Sequence, residues 1–233
     1  MIPLRDSEAT RRLTPINSIL IAANLVVFVL EAREGRAAGA IVARYAMVPE
    51  RVARIGAEPA AAALRAIATL VTSMFLHAGL LHLAGNMLYL LIFGPAVENR
   101  LGAVRYAIFY LAAGVAAGLA MVAMGPASPV AVIGASGAIA GVLGAYFVLH
   151  PRARITVILP LIIFFTTVQI PALFFLLAWF AVQLYAGIAA GAEGPIVGGV
   201  AWWAHVGGFL FGVAIAPMLA RARPAPARRP RRA

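Results

Sequence analysis

The sequence predicts an all-α membrane protein, a bundle of six crossing helices with a large loop region between the first and second. Three observations predict it. Hydrophobic residues make up 63% of the 233-residue chain and charged residues only 12%, the balance of a multi-spanning membrane protein rather than a soluble enzyme. The apolar residues gather into runs close to the ~20 needed to cross a bilayer. The basic residues, all 19 of them arginine, lie between those runs, where topology signals sit.

In chain order, residues 1–14 read as a cytoplasmic tail and 15–33 as the first span. That first span has the length of a signal peptide, but Asp6, Glu8 and the loop beyond it predict a retained helix. The long first loop follows, and six arginines in or at the start of it (Arg33 to Arg65) stand beside Glu31, Glu34, Glu50 and Glu58. Spans at 81–99 and 103–124 follow. Between Arg105 and Arg152 the only ionisable groups are Tyr106, Tyr110, Tyr146 and His150, and Gly125-Pro126 and Ser128-Pro129 break that run in two. The fourth span, 136–150, is therefore short. Segment 156–171, apolar but interrupted by Pro160 and Pro171, reads as an interfacial approach to the fifth span at 172–190. The sixth, 200–220, begins beside Trp202-Trp203, a pair suited to an interfacial aromatic belt. The Arg/Pro/Ala stretch 221–233 reads as a basic disordered tail held near anionic lipid.

The other thirteen arginines fall in the two tails and the 2–3 and 4–5 turns, so both termini are expected in the cytoplasm. No repeat or linker divides the core, and 15–220 reads as one transmembrane domain. The bacterial inner membrane is the expected location, an organelle membrane the alternative.

Two polar residues stand out against this background. Ser136 opens the fourth span and His205 lies near the start of the sixth, and ionisable or polar groups at membrane depth are costly and usually functional. Span 4 is about 22 Å long, which puts Ser136 about 8 Å below the outer edge of a ~30 Å hydrocarbon core. The same rise puts His205 about 7–8 Å down. Glu98 marks the inner end of span 2, so His82 lies about 6 Å below the outer surface. Asn86, one turn after His82, faces the same way. The uncharged 125–135 loop must then dip into the membrane, which irregular backbone survives only where protein or a wet cavity satisfies it.

Serine and histidine are the minimum pair for hydrolytic acyl transfer, one as nucleophile and one as base. Other proteolytic chemistries fit badly. His77 and His82 are five apart with no glutamate between them, not a His-Glu-x-x-His zinc site. Asp6 is the only aspartate, which leaves neither a carboxylate dyad nor a Ser-His-Asp triad. Cysteine is absent, which removes thiolate chemistry. Ala138 stands where a Gly-x-Ser-x-Gly elbow needs glycine. A serine–histidine dyad remains. At a helix start, free backbone N–H groups lie beside the Ser136 hydroxyl, and His82 and Asn86 add side-chain donors suited to an oxyanion. Gly137 and Gly141 on span 4, with Gly208 and Gly212 on span 6, form small-xxx-small faces that let the two helices approach closely.

Over roughly residues 65–215 the chain resembles the rhomboid intramembrane serine proteases. The matching pieces are His77-x4-His82-x3-Asn86-Met87, Glu98-Asn99-Arg100-x-Gly102, Gly134-Ala135-Ser136-Gly137 and Ala204-His205-x-x-Gly208-x-x-x-Gly212. The resemblance implies Ser136 as nucleophile, His205 as general base, and His82, Asn86 and the Ser136 backbone N–H as oxyanion hole. It implies structural roles for Glu98 and Arg100, tying the 1–2 loop region or the end of span 2. The substrates it implies are single-span or other transmembrane proteins, cut within the lipid bilayer near their outer end. The chain departs from some members at Ala68-Thr69, where they carry Trp-Arg, and at Ala140, where they stack a tyrosine on the histidine.

Residues outside that constellation have plainer readings: His77 is structural, and His150 caps the cytoplasmic end of span 4. A gate is expected from span 5 with the glycine-rich 191–199 loop. The alternative function is a catalytically inactive, client-binding relative. A transporter would require inverted repeats and a midplane site, and no nucleic-acid partner is expected despite the basic tail.

Overall fold

The computed structural model describes residues 2–8, 14–35, 38–161, 164–190 and 200–220. The predicted gate loop 191–199 and the basic tail 221–233 lie outside them. Nine helices and three strands are described: β1 (Ile2–Asp6), α1 (Pro15–Arg33), α2 (Ala38–Tyr45), α3 (Pro49–Ala53), α4 (Ala60–Thr72), α5 (Leu80–Leu101), α6 (Ala103–Met124), α7 (Ser136–Leu149), β2 (Arg154–Leu161), β3 (Phe164–Pro171), α8 (Ala172–Ala189) and α9 (Trp202–Leu219). Helices α1, α5, α6, α8 and α9 are long and apolar enough to cross a membrane. The multi-pass reading holds on those five.

Helix α7 is shorter, fourteen residues, and eleven of them are buried. A helix that is apolar on every side belongs inside a bundle. It packs chiefly on α9, then on α6 and α5. The glycines dictate that closeness. A Cβ on Gly208 would collide with the Gly137 carbonyl, one on Gly212 with the Gly141 carbonyl, and one on Gly144 with the Phe209 carbonyl. The expected small-residue faces do meet.

Helix α1 turns a polar seam to the bundle. Its buried residues Asn17, Leu20, Asn24 and Glu31 fall at helical spacing on one side. The Asn17 amide donates to the Leu90 carbonyl at 3.0 Å and accepts from the Tyr106 hydroxyl at 2.8 Å. The Glu98 carboxylate accepts the backbone N–H groups of Ile16 at 3.2 Å and Asn17 at 2.7 Å. It therefore satisfies the first turn of α1, where free donors and the dipole favour an anion. Arg100 donates to the Leu149 carbonyl at 3.2 Å, at the end of α7. Both residues tie helix ends together, Glu98 reaching α1 itself rather than the 1–2 region.

The fold is mostly helical, and the expectation of an all-α chain needs one correction. Within the segment expected to be an interfacial approach to α8, residues 154–161 and 164–171 form two paired strands. Strands β2 and β3 pair antiparallel from Arg154↔Pro171 to Leu161↔Phe164, and β1 adds to β2 antiparallel in the order β1-β2-β3. Alternation explains it: Ala153, Ile155 and Val157 are buried, while Arg154 is exposed and Thr156 and Ile158 are half-buried. That is a period of two in a β-branched run. Beside the sheet, Tyr146 donates its hydroxyl to the Asp6 carboxylate at 2.8 Å, and burial pushes the Asp6 carboxyl above its ordinary range. His150, expected to cap α7, is its C-cap residue, its N–H donating to the Tyr146 carbonyl at 2.9 Å, and its Nδ1 also pairs with Glu8 at 3.0 Å.

Candidate active site

The site grows from the loop that precedes α7. Its backbone is irregular and uncharged, and protein satisfies it. Met47 and Val132 form an antiparallel bridge, Glu50 N–H donates to the Ser128 carbonyl at 3.1 Å, and Gly134 N–H donates to the Ser73 carbonyl at 2.9 Å. Gly134 has φ +118, a conformation that L side chains rarely adopt. A Cβ there would also sit 2.8 Å from His82 Nε2. Glycine at 134 lets the chain turn under His82 and enter α7 at Ser136 with its N–H donors unspent.

Ser136, His205, His82 and Asn86 all line one cavity of about 600 Å³. The next residues of the two helices touch: a Cβ on Gly137 would lie 3.7 Å from that of Ala204. Ser136 and His205 thus face the same space from adjoining turns, each half-buried. No hydrogen bond joins their side chains in this structure.

The two side-chain donors of the predicted oxyanion group each have a definite partner. His82 Nδ1 accepts from the Ala78 N–H at 3.4 Å, so its proton resides on Nε2, the nitrogen turned to Gly134. Asn86 is buried, and its amide nitrogen meets His77 Nε2 at 2.9 Å, leaving the amide a second N–H. His77 is buried, and its backbone N–H donates to Glu31 at 3.3 Å. Burial, and then the neighbouring His82, push the His77 ring down to about 4. It is a neutral acceptor that orients Asn86, which gives the structural role a definite form.

Sequence reasoning missed Gln183. This buried amide on α8 places Oε1 2.7 Å from His205 Nδ1. Its signal was present: it is the one amide in an otherwise apolar helix, and the rule that selected Ser136 and His205 selects it too. Trp179 and Trp202 flank the same imidazole at ring separations of 5.9 and 6.3 Å. Ala140, where some resembling proteins carry a tyrosine, is fully buried toward Gly208. The expected structural glycines divide between three jobs, Gly134 shaping the turn, Gly137 admitting Ala117 of α6, and Gly208 and Gly212 closing the α7–α9 contact.

Residues 64–222 match the model of the Rhomboid domain. The chain is 46% identical over 76 residues to the rhomboid protease GluP of Bacillus subtilis, covering 33% of this chain and 14% of that protein. Over 77 residues it is 39% identical to the putative rhomboid protease YdcA of the same organism, covering 33% and 38%. It is 33% identical over 155 residues to the human presenilin-associated rhomboid-like protein, mitochondrial, covering 62% and 36%. The matches thus span between about a seventh and two fifths of these relatives' length.

Proposed function

Given that the chain belongs to the rhomboid family, we propose that it is an intramembrane serine endopeptidase that cuts transmembrane-helix substrates through Ser136 and His205. The observation that carries this reading is the shared cavity. Nucleophile, base and two oriented N–H donors line one space, inside the segment that matches the family.

Ser136 Oγ attacks the scissile carbonyl while His205 Nε2 takes its proton. The bond between them closes when substrate fills the cavity, as catalytic hydrogen bonds often tighten only in the complex. The oxyanion that forms is held by the Ser136 N–H, His82 Nε2–H and the free Asn86 N–H. Each such donor is commonly worth about 10²–10³-fold in rate. The imidazolium then protonates the leaving amine. Water, activated by the same nitrogen, releases the acyl group. A substrate helix must unwind locally to offer its carbonyl, so helix-weakening residues are expected near the cut.

In this reading α7 crosses as a sixth, short span and both termini face the cytoplasm. The cut then falls near the extracytoplasmic side of a cell membrane, in the bacterial case the inner one. Residues 15–220 form the rhomboid-like domain between two cytoplasmic tails. The chemistry uses no metal or cofactor, and the substrates are single-span or other transmembrane proteins.

The test is cleavage of a model single-span substrate in proteoliposomes, with labelling by a fluorophosphonate. The parent should cleave and label. Ser136→Ala should do neither, a loss of at least about 10³-fold, with expression unchanged. Cleavage by that variant ends the assignment. A folded parent that neither cleaves nor labels would instead support the client-binding alternative.

A further inference from the structure

The imidazole that serves as base has a partner on a different helix, and that partner is an amide. Gln183 is only 7% exposed and stands alone as a polar side chain at its level of α8. An unpaired buried amide costs about 1–3 kcal/mol, so a 2.7 Å bond to His205 Nδ1 is what makes it tolerable there. The bond also sets the chemistry of the ring. A carboxamide oxygen only accepts, so Nδ1 carries the ring proton and Nε2 keeps its lone pair. That is the tautomer a general base needs.

We infer that Gln183 is the positioning residue of the base: through its bond to Nδ1 it fixes the tautomer and orientation of His205. The inference rests on the protease reading above. Gln183 touches neither substrate nor reacting atoms and acts only through the ring. Trp179 and Trp202 flank that ring at interplanar angles of 37° and 88°. With the amide, they confine its rotation from three directions. The other titratable groups lining the cavity are His82 and Tyr89 on α5, and no carboxylate or guanidinium is among its described lining residues. The partner of Nδ1 is therefore uncharged, and it tethers the base to α8.

The experiment measures kcat, KM and the pH profile of kcat/KM in proteoliposomes for the parent, Ser136→Ala, Gln183→Leu and Gln183→Glu. Gln183→Leu removes the acceptor and should lower kcat by about 10- to 100-fold with KM within about twofold. Gln183→Glu keeps an acceptor and adds a charge beside the imidazolium. It should restore kcat and move the acid limb of the profile upward by about one pH unit or more. A side chain at 183 that does not reach Nδ1 would not bring that charge to the ring and would leave the limb where it is. Parental kcat in Gln183→Leu overturns the inference, and so does an acid limb unmoved in Gln183→Glu. The second readout decides even where the leucine variant fails to fold. Cleavage by Ser136→Ala would sink the protease reading itself, whereas an inactive Ser136→Ala beside a parental Gln183→Leu would sink only the role of Gln183.

Discussion

Helices α8 and α9 are both eighteen residues long and apolar, both adjoin the cavity, and they are held in opposite ways. Helix α9 is gripped on two sides: Gly208 and Gly212 admit the α7 backbone, and Gly207 admits Ala120 of α6. Helix α8 packs mainly on α9 and touches α7 little. It leaves Phe174, Leu177, Val182, Tyr185 and Ile188 exposed, in a molecule where such a face meets lipid. Its grip is aromatic, with Phe180 stacked on Phe209 at 4.7 Å and Trp179 tilted over the same ring at 6.1 Å. Backbone-to-backbone packing fixes a distance to within tenths of an ångström, whereas ring stacking tolerates sliding. The wall that carries the base is fixed by backbone contact, whereas α8 meets it through side chains, the Gln183–His205 bond among them.

The strongest way to break this contrast is to add bulk to each wall. Gly212→Val puts a branched side chain against the Gly141 carbonyl and the Ala145 N–H. It should cost about 3 kcal/mol or more and abolish cleavage, read by unfolding in mild detergent. Ala181→Val, on the exposed face of α8, should stay within about 0.5 kcal/mol. Equal losses from the two would refute the contrast.

A smaller effect should follow from loosening α8 alone. Phe180→Ala removes its stacked ring and should cost about 1–2 kcal/mol. Amide exchange should quicken in 176–189 and stay unchanged in α7 and α9. Exchange that rises equally in all three helices would mean that α8 is as integral as its neighbour.

The last concerns the wall opposite, where His77 orients Asn86. Its ring falls from the ordinary 6.5 to about 4 in the folded protein, so folding favours the neutral form. Its contribution is whole above 6.5 and is lost as pH falls from there toward 4. The melting temperature of His77→Gln should therefore depend less on pH across that window than the parent's. Parallel curves would assign the acid sensitivity elsewhere.

Much of this was legible in the chain. The six apolar segments coincide with α1 and α5 to α9 to within two residues at each end, because hydropathy runs and Gly/Pro breaks are local signals. Four of the cavity's polar residues, Ser136, His205, His82 and Asn86, were legible through the cost of polarity in lipid. The sheet was not: its period of two is short, Pro160 and Pro171 disguise it, and its third strand comes from residues 2–6, a pairing no local window contains. Nor was the Asn86–His77 bond, which reaches nine residues back across the start of α5, a turn whose path helical geometry leaves open. Gln183 lay within reach of the rule that found the serine, but its partner on α9 depends on how two helices rotate against each other.

The amide seam of α1 has a consequence for biogenesis. Asn17 finds its two partners 73 and 89 residues further along, in α5 and α6. While the chain is being made, α1 enters the lipid with that amide and Glu31 still unmatched, so its first residence there is provisional. Docking waits for the third apolar helix to be inserted, and a nascent chain stalled before Tyr106 should leave its leading helix exposed to quality-control proteases.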